Sequence, residues 1–414
     1  MQSGSVAIMP PGALGVSFFT HLTGQFQHRE GTFFVGMNGS RSIGALLSSE
    51  LQIARGDSIE RLSPDGLIFP TLSEAWERGH RPEILIACPN PDQLLQVVST
   101  FVGLIERIWE ETPADEERQI PSLILSSNGI YFQRVRQMFV EKLEESILLG
   151  RLPDLWPDHM PAIVGHLLRG VTFQTGVRSG SGAATVYRPG PSGISTLAGG
   201  SEQVRARCCE LLAGRGGWFE NSAGISPTRL EFEKAIANLT ANLLGLLYAF
   251  GADGIFARLT IGEIIASRHE DDIRELVQRV FEVGRAIKVF TPSDSFEGIF
   301  EHVLKSLRRV GPHVPSSLQS VELQLEAGTL EAKFPPTETW LIDPLIRYAR
   351  SAQLSEAVTY FEGLRAALTA KLEQAVGTPS EASKEGRAPV VALPFVPAAT
   401  RPSAIWHSER RNFL

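Results

Sequence analysis

The chain has 414 residues, 43% of them hydrophobic and 8% aromatic, enough for a large core divided into two domains with smaller appendages. Its 39 Lys and Arg against 46 Asp and Glu leave a net charge of -7, which argues against a nucleic-acid or anionic-membrane partner. The three cysteines, Cys88 and the adjacent Cys208 and Cys209, fit neither a disulfide framework nor metal-ligand spacing and suit a reducing cytoplasm; the absence of a basic N-terminal segment and of any long apolar stretch gives no expectation of a signal peptide or membrane span.

Apolar runs of strand length at residues 5–9, 32–35 and 83–88, with a helical pattern at 16–24 between the first two, predict βαβ units and a parallel sheet. The first run leads through Pro10-Pro11-Gly12-Ala13-Leu14-Gly15 into that helix, the context of a dinucleotide-binding turn. Gly12 would let main chain approach a pyrophosphate, Gly15 would let helix and strand pack closely, and Ala13 and Leu14 stand between them at the helix N-terminus. Pro10 replaces the first glycine of G-x-G-x-x-G, and Pro11 removes one backbone donor. A plain strand-to-helix turn is the competing reading.

The second strand run ends in Gly36-Met37-Asn38-Gly39-Ser40-Arg41, without the acid that would contact an adenine ribose. Asn38 offers a small polar group and Arg41 a guanidinium suited to a 2'-phosphate, so the turn favours NADP over NAD; a solvated loop arginine reads equally well. A helix is expected over 94–110 and a strand over 122–125, closed by the turn Ser126-Ser127-Asn128-Gly129. Residues 170–200, rich in Gly, Ser and Thr, predict short strands where the sheet should end, and 201–213 a helix. Beyond Pro227 come helical runs at 228–250, 260–288, 294–310 and 337–374, so the fold class is α/β plus all-α. The expected division is a Rossmann-like domain over 1–222, a helical domain over 223–376 and a disordered tail over 377–414.

Lys234, Asn238 and Asn242 stand four residues apart in an otherwise apolar helix pattern, forming a polar stripe on one face. Polar groups buried there need partners. Either a neighbouring helix satisfies them, or they face an active site.

The Lys-x-x-x-Asn-x-x-x-Asn pattern opening a helical domain after a Rossmann-like half resembles the ketopantoate reductase family. Gly12-Ala-Leu-Gly15 is similar to the end of that family's glycine turn, and Ser127-Asn128-Gly129 to its Gln-Asn-Gly turn. Gly170–Gly176 resembles its closing strands, Pro315-Ser316-Ser317-Leu318-Gln319 its Ser-Ser-Met-x-Gln motif, and Gly328-Thr-Leu-Glu331 the segment bearing its active-site glutamate. The resemblance spans roughly residues 3–375. It implies a helical domain of the 6-phosphogluconate dehydrogenase C-terminal type and reduction of a 2-keto acid by NADPH, with Lys234 as proton donor. It further implies that Asn238, Asn242 and Ser317 bind substrate, that Glu331 orients the reacting centre, and that Asn128 lies near the nicotinamide ribose. Asn90 falls where the family carries a cofactor-side lysine, and Val314 where it carries a substrate-binding asparagine. The competing functions are a dinucleotide-binding protein without turnover and an opine-type dehydrogenase. The apolar helices also admit a homodimer interface, although buried core is their simpler use.

Overall fold

The computed structural model describes residues 4–24, 31–37, 41–113, 115–156, 159–180, 182–251 and 254–377. In chain order the first half runs β1 (Val6–Met9), α1 (Ala13–Leu22), β2 (Thr32–Val35), α2 (Arg41–Leu47), β3 (Leu51–Arg55), β4 (Ser58–Leu62), β5 (Ile68–Phe69), α3 (Leu72–Glu77) and β6 (Ile84–Ala87). It continues α4 (Leu94–Glu111), β7 (Ser122–Leu125), α5 (Phe132–Leu148), α6 (Met160–Val164), β8 (Leu167–Thr172), β9 (Gly176–Ser179), β10 (Val186–Pro189), β11 (Ser195–Ala198), α7 (Glu202–Gly214) and β12 (Phe219–Asn221).

Eight strands form one sheet in the order β12-β11-β8-β7-β6-β1-β2-β5, parallel except where β11 runs against β8. Every residue of β1, β2, β6 and β7 is buried, which explains their unbroken apolar sequences: helices cover both faces. In β1, Val6 and Ile8 pack with α1, α2 and α7, while Ala7 and Met9 pack with α3, α4 and α5. The chain leaves β1 to one side for β2 and later to the other for β6, which creates a crevice at their carboxyl ends, where ligands bind in such sheets. There the Cys88 N–H donates to the Met9 carbonyl at 2.6 Å.

In the sheet half, two features depart from the sequence expectation. The sheet does not end near Gly200, because β12 follows α7 and pairs parallel with β11. A second sheet, β4-β3-β10-β9, was not expected. It rests on α1: Tyr187 donates from its hydroxyl to the Pro11 carbonyl at 3.2 Å, and Ser17 to the Thr175 carbonyl at 2.5 Å.

The helical half comprises α8 (Pro227–Asn238), a π-helical turn at Leu239–Leu244, α9 (Gly245–Ala249), α10 (Ile261–Ile264), α11 (Glu270–Ala286), α12 (Phe296–Arg309), α13 (Ser316–Glu326), α14 (Pro336–Ser351) and α15 (Ser355–Gly377). Ser226 caps α8 by accepting from the Arg229 N–H, and Pro227 occupies the first turn, where its missing donor costs nothing. From Ala235 to Leu246 every residue is buried, so α8, the π turn and α9 form one central rod. The other helices wrap it through Leu239, Leu243, Leu276, Phe300, Leu318, Ile342 and Phe361. The run expected as one helix over 337–374 breaks into α14 and α15, with Gln353 at φ 58° in the turn between them. Among the described residues no helix is long and apolar enough to cross a membrane, and none group as a metal site.

Candidate active site

Gly12 caps α1 in an extended conformation, and a side chain built there would meet nothing within 4 Å. Gly15 is the opposite case, since a Cβ would lie 2.5 Å from the Pro10 carbonyl oxygen and 3.1 Å from the Ile8 side chain. Close packing of helix on strand therefore requires glycine at 15, and the open face lies at 12. The Gly12 N–H donates to the Pro10 carbonyl at 2.8 Å, and Pro10 and Pro11 have none to offer. The donors left for an anion are the first-turn N–H groups of Ala13, Leu14 and Gly15. An open main-chain face, a helix N-terminus and the sheet's switch point together fit a dinucleotide pyrophosphate, on fewer donors than a full glycine turn would give.

Asn38 lies outside the described residues; Arg41 opens α2, and its side chain lies outside the description as well. Asn90 is exposed beyond β6, its N–H donating to Gln93 Oε1 at 3.0 Å. Asn128 is half-buried in the turn after β7, beside Gly129 at φ 131°, where a side chain would press on Tyr131 and the Trp340 carbonyl.

That turn is held by a residue the sequence reading missed. Arg169, buried in β8, donates to the carbonyls of Leu125 at 2.6 Å, Ser127 at 2.8 Å, Gly170 at 3.1 Å and Gly129 at 3.3 Å. Its Nε donates to Glu231 Oε1 at 2.8 Å, and both side chains are almost wholly inaccessible. Glu231 also accepts the backbone N–H groups of Tyr131 at 3.2 Å and Phe132 at 3.1 Å, where a carboxylate suits the start of α5. A single buried ion pair thus ties the sheet, the Asn128 turn and the first turns of α8 together. The available signal was an arginine between Leu168 and Val171 in an otherwise uncharged strand run, which needs a buried partner.

Lys234 stands one turn beyond Glu231. Its ammonium lies 3.9 Å from the centre of the Phe173 ring. The side chain is half-buried, and its removal from water pulls its pKa down to about 8. It lines a cavity of about 30 Å³ with Val171, Phe173, Glu233, His302 and Ser306, room for about one water.

Further along the rod, Asn242 turns its Oδ1 to the Ser317 N–H at 3.2 Å, and Ser317 donates from its hydroxyl to Glu338 Oε1 at 2.5 Å. All three are buried, and burial raises the Glu338 pKa to about 7. Glu338 Oε2 and Asn238 Nδ2 are buried without a hydrogen-bond partner, as polar atoms awaiting a ligand would be. The π turn that carries Asn242 is of a kind frequent at functional sites.

Glu331 is not among these residues. It is exposed in the loop between α13 and α14, and the carboxylate beside Ser317 belongs to Glu338. The loop places the acid seven residues later than the sequence spacing had it. The signal was present: Glu338, Leu341, Ile342 and Leu345 share one helix face, so this glutamate occupies a core position. Among the described residues no hydrogen bond or ion pair links Lys234 to Glu338.

No family model and no curated protein matches the chain. Solved structures of dehydrogenases and reductases match it over almost their whole length. D-mandelate dehydrogenase in a ternary complex with NADH and anilino(oxo)acetate superposes with a TM-score of 0.61 at 16% identity, over 90% of this chain and 99% of that one. The PanE/ApbA family ketopantoate reductase from Ralstonia eutropha JMP134 gives 0.56 at 15% identity, over 90% and 99%. The 2-dehydropantoate 2-reductase from Methylococcus capsulatus gives 0.53 at 18%, over 90% and 98%. The chain has the fold of this group, as its motifs implied.

Proposed function

We propose that this protein is an NADPH-dependent reductase of a 2-keto acid, with ketopantoate or a close relative as substrate. The observation that carries the reading is the buried Asn242–Ser317–Glu338 chain on the rod that bears Lys234, with Asn238 Nδ2 and Glu338 Oε2 left unsatisfied. Leaving a buried polar group unpaired costs about 1–3 kcal/mol, which a substrate bound against these two would offset.

A bound nicotinamide dinucleotide supplies the hydride. The N–H groups of Ala13, Leu14 and Gly15 would hold its phosphates, and Asn128 and Asn90 would border its ribose. Arg41, with no ribose-binding acid after β2, favours the 2'-phosphorylated form. Lys234, with a pKa near 8, donates the proton that the ketone oxygen gains as the carbonyl is reduced, an efficient acid close to neutral pH. The bond from Asn242 Oδ1 to Ser317 directs the Asn242 NH₂ group away from Ser317, so that with Asn238 it can donate to the substrate carboxylate. Glu338 fixes the Ser317 hydroxyl and holds the first turn of α14 against this group.

The test is oxidation of NADPH and NADH by purified protein with ketopantoate, pyruvate and benzoylformate, each with and without added amino acids. Turnover with a keto acid alone supports the proposal; turnover that needs an amino acid identifies an opine-type enzyme. Binding of dinucleotide without turnover of any of them would favour a non-catalytic role, a reading supported by the loss of three donors at Pro10, Pro11 and Gly12.

A further inference from the structure

A second recess, of about 290 Å³, lies between α5 of the sheet half and α14 and α15 of the helical half. Arg134, Trp340, Asp343, Arg347, Arg350 and Arg365 line it, together with Ile346 and Glu362. Four arginines against two carboxylates give it a formal charge of +2 in a chain whose net charge is -7. Both carboxylates are already committed: Asp343 pairs with Arg365, and Glu362 with Arg350. Arg134 and Arg347 make neither an ion pair nor a hydrogen bond among the described residues, although both side chains are exposed and acidic residues outnumber basic ones along the chain.

Like charges gathered without counter-charge repel. Nothing in the packing requires them here, since an exposed arginine is free to extend into solvent. Their convergence, from two halves of the molecule, on one concave site is what an anion-binding pocket needs, and arginine forks suit phosphate oxygens in particular. Trp340 also lines the recess, and its indole would give a planar ring a partner on which to stack. The volume lies just under the usual range for small-molecule sites, so a ligand's ring and phosphate can enter while a sugar joining them stays at the open mouth.

We propose that this recess binds a dianionic organic phosphate carrying a planar ring, of the nucleoside monophosphate class. Its phosphate lies between Arg134 and Arg347, and its ring lies on Trp340. Such a ligand bridges the two halves of the chain next to the turn that receives the Trp340 carbonyl, whose bond from the Ile130 N–H measures 3.4 Å.

The experiment is calorimetric titration of the full chain with AMP, in the wild type and in a Gly12→Asp background, where a carboxylate at the start of α1 repels phosphates from the dinucleotide turn. AMP is expected to bind the Gly12→Asp protein. Adding Arg134→Ala and Arg347→Ala should weaken that binding about tenfold or more, while melting temperature stays unchanged because both side chains are exposed. Trp340→Leu should weaken AMP more than ribose 5-phosphate. Absence of AMP binding in the Gly12→Asp protein, or equal binding with and without the two arginines, overturns the proposal. Equal affinity for AMP and ribose 5-phosphate overturns the assignment of Trp340. Because Gly12→Asp disables only the dinucleotide turn, failure of the reductase reading leaves this outcome unaffected.

Discussion

Replacing Arg169 by methionine removes one partner of a buried pair and leaves the Glu231 carboxylate facing apolar side chains with only the Tyr131 and Phe132 N–H groups. Breaking such a pair from one side costs about 3–5 kcal/mol, because a charge stays buried without its partner. The carbonyls of Leu125 and Ser127, reached by Arg169 at 2.6 and 2.8 Å, also lose that donor, although Ser127 keeps the Tyr131 hydroxyl at 2.9 Å. Arg169→Met should therefore lower the urea midpoint of unfolding strongly. The double variant Arg169→Met with Glu231→Leu should recover part of the loss, since no charge is then left buried, although the start of α5 stays uncapped. Equilibrium unfolding of the wild type, both single variants and the double variant, followed by circular dichroism, measures the coupling. A single-variant loss below about 1 kcal/mol, the value of an exposed ion pair, would refute the view that this pair locks the two halves together.

Three further outcomes follow from the same geometry. Glu338 has a folded pKa of about 7 against 4.5 in the unfolded chain, so its contribution to stability is full below about pH 4.5 and is lost as pH rises through 7. Unfolding free energies measured from pH 4.5 to 8 should show the wild type losing about 3 kcal/mol relative to Glu338→Gln, and parallel curves would contradict the raised pKa. Gly12→Asp should leave the melting temperature unchanged or higher, because the position is extended, open and suited to an N-cap acid, yet NADPH affinity should fall at least about tenfold; unchanged affinity would show that phosphates do not bind at this turn. Gly15→Ala should destabilise by about 1–3 kcal/mol through contact with the Pro10 carbonyl at 2.5 Å, and a neutral effect in thermal unfolding would contradict the tight helix–strand approach.

The parallel sheet and the central rod were legible because their signals are local: β1, β6 and β7 are buried on both faces and read as unbroken apolar runs, and the rod repeats its polar residues every fourth position. The hairpin of β3 and β4 left only a weak pattern, because β4 carries Ser58, Glu60 and Arg61 among few apolar residues and leaves Ile59 exposed. Lys234, Asn238, Asn242 and Ser317 are proposed for the site on their motifs, whereas the expected Glu331 lies exposed and the buried carboxylate on Ser317 is Glu338, because loop length between α13 and α14 cannot be read from spacing alone. Arg169 and Glu231 lie 62 residues apart, and their pairing exists only once β8 and α8 are packed. Burial of a charge is the part of a site that sequence signals least and structure shows at once.

The role of Lys234 is tested most directly by comparing keto-acid-dependent NADPH oxidation by the wild type and Lys234→Ala from pH 6 to 10, with melting temperature measured alongside. The wild-type rate should fall as pH rises through about 8, where the ammonium loses its proton. The variant should turn over about 10²–10⁴ times more slowly, without that pH dependence and with its melting temperature nearly unchanged. Retained turnover in Lys234→Ala, or a loss of activity matched by a large loss of stability, would contradict the assignment and make the Lys234 stripe a structural feature of the core.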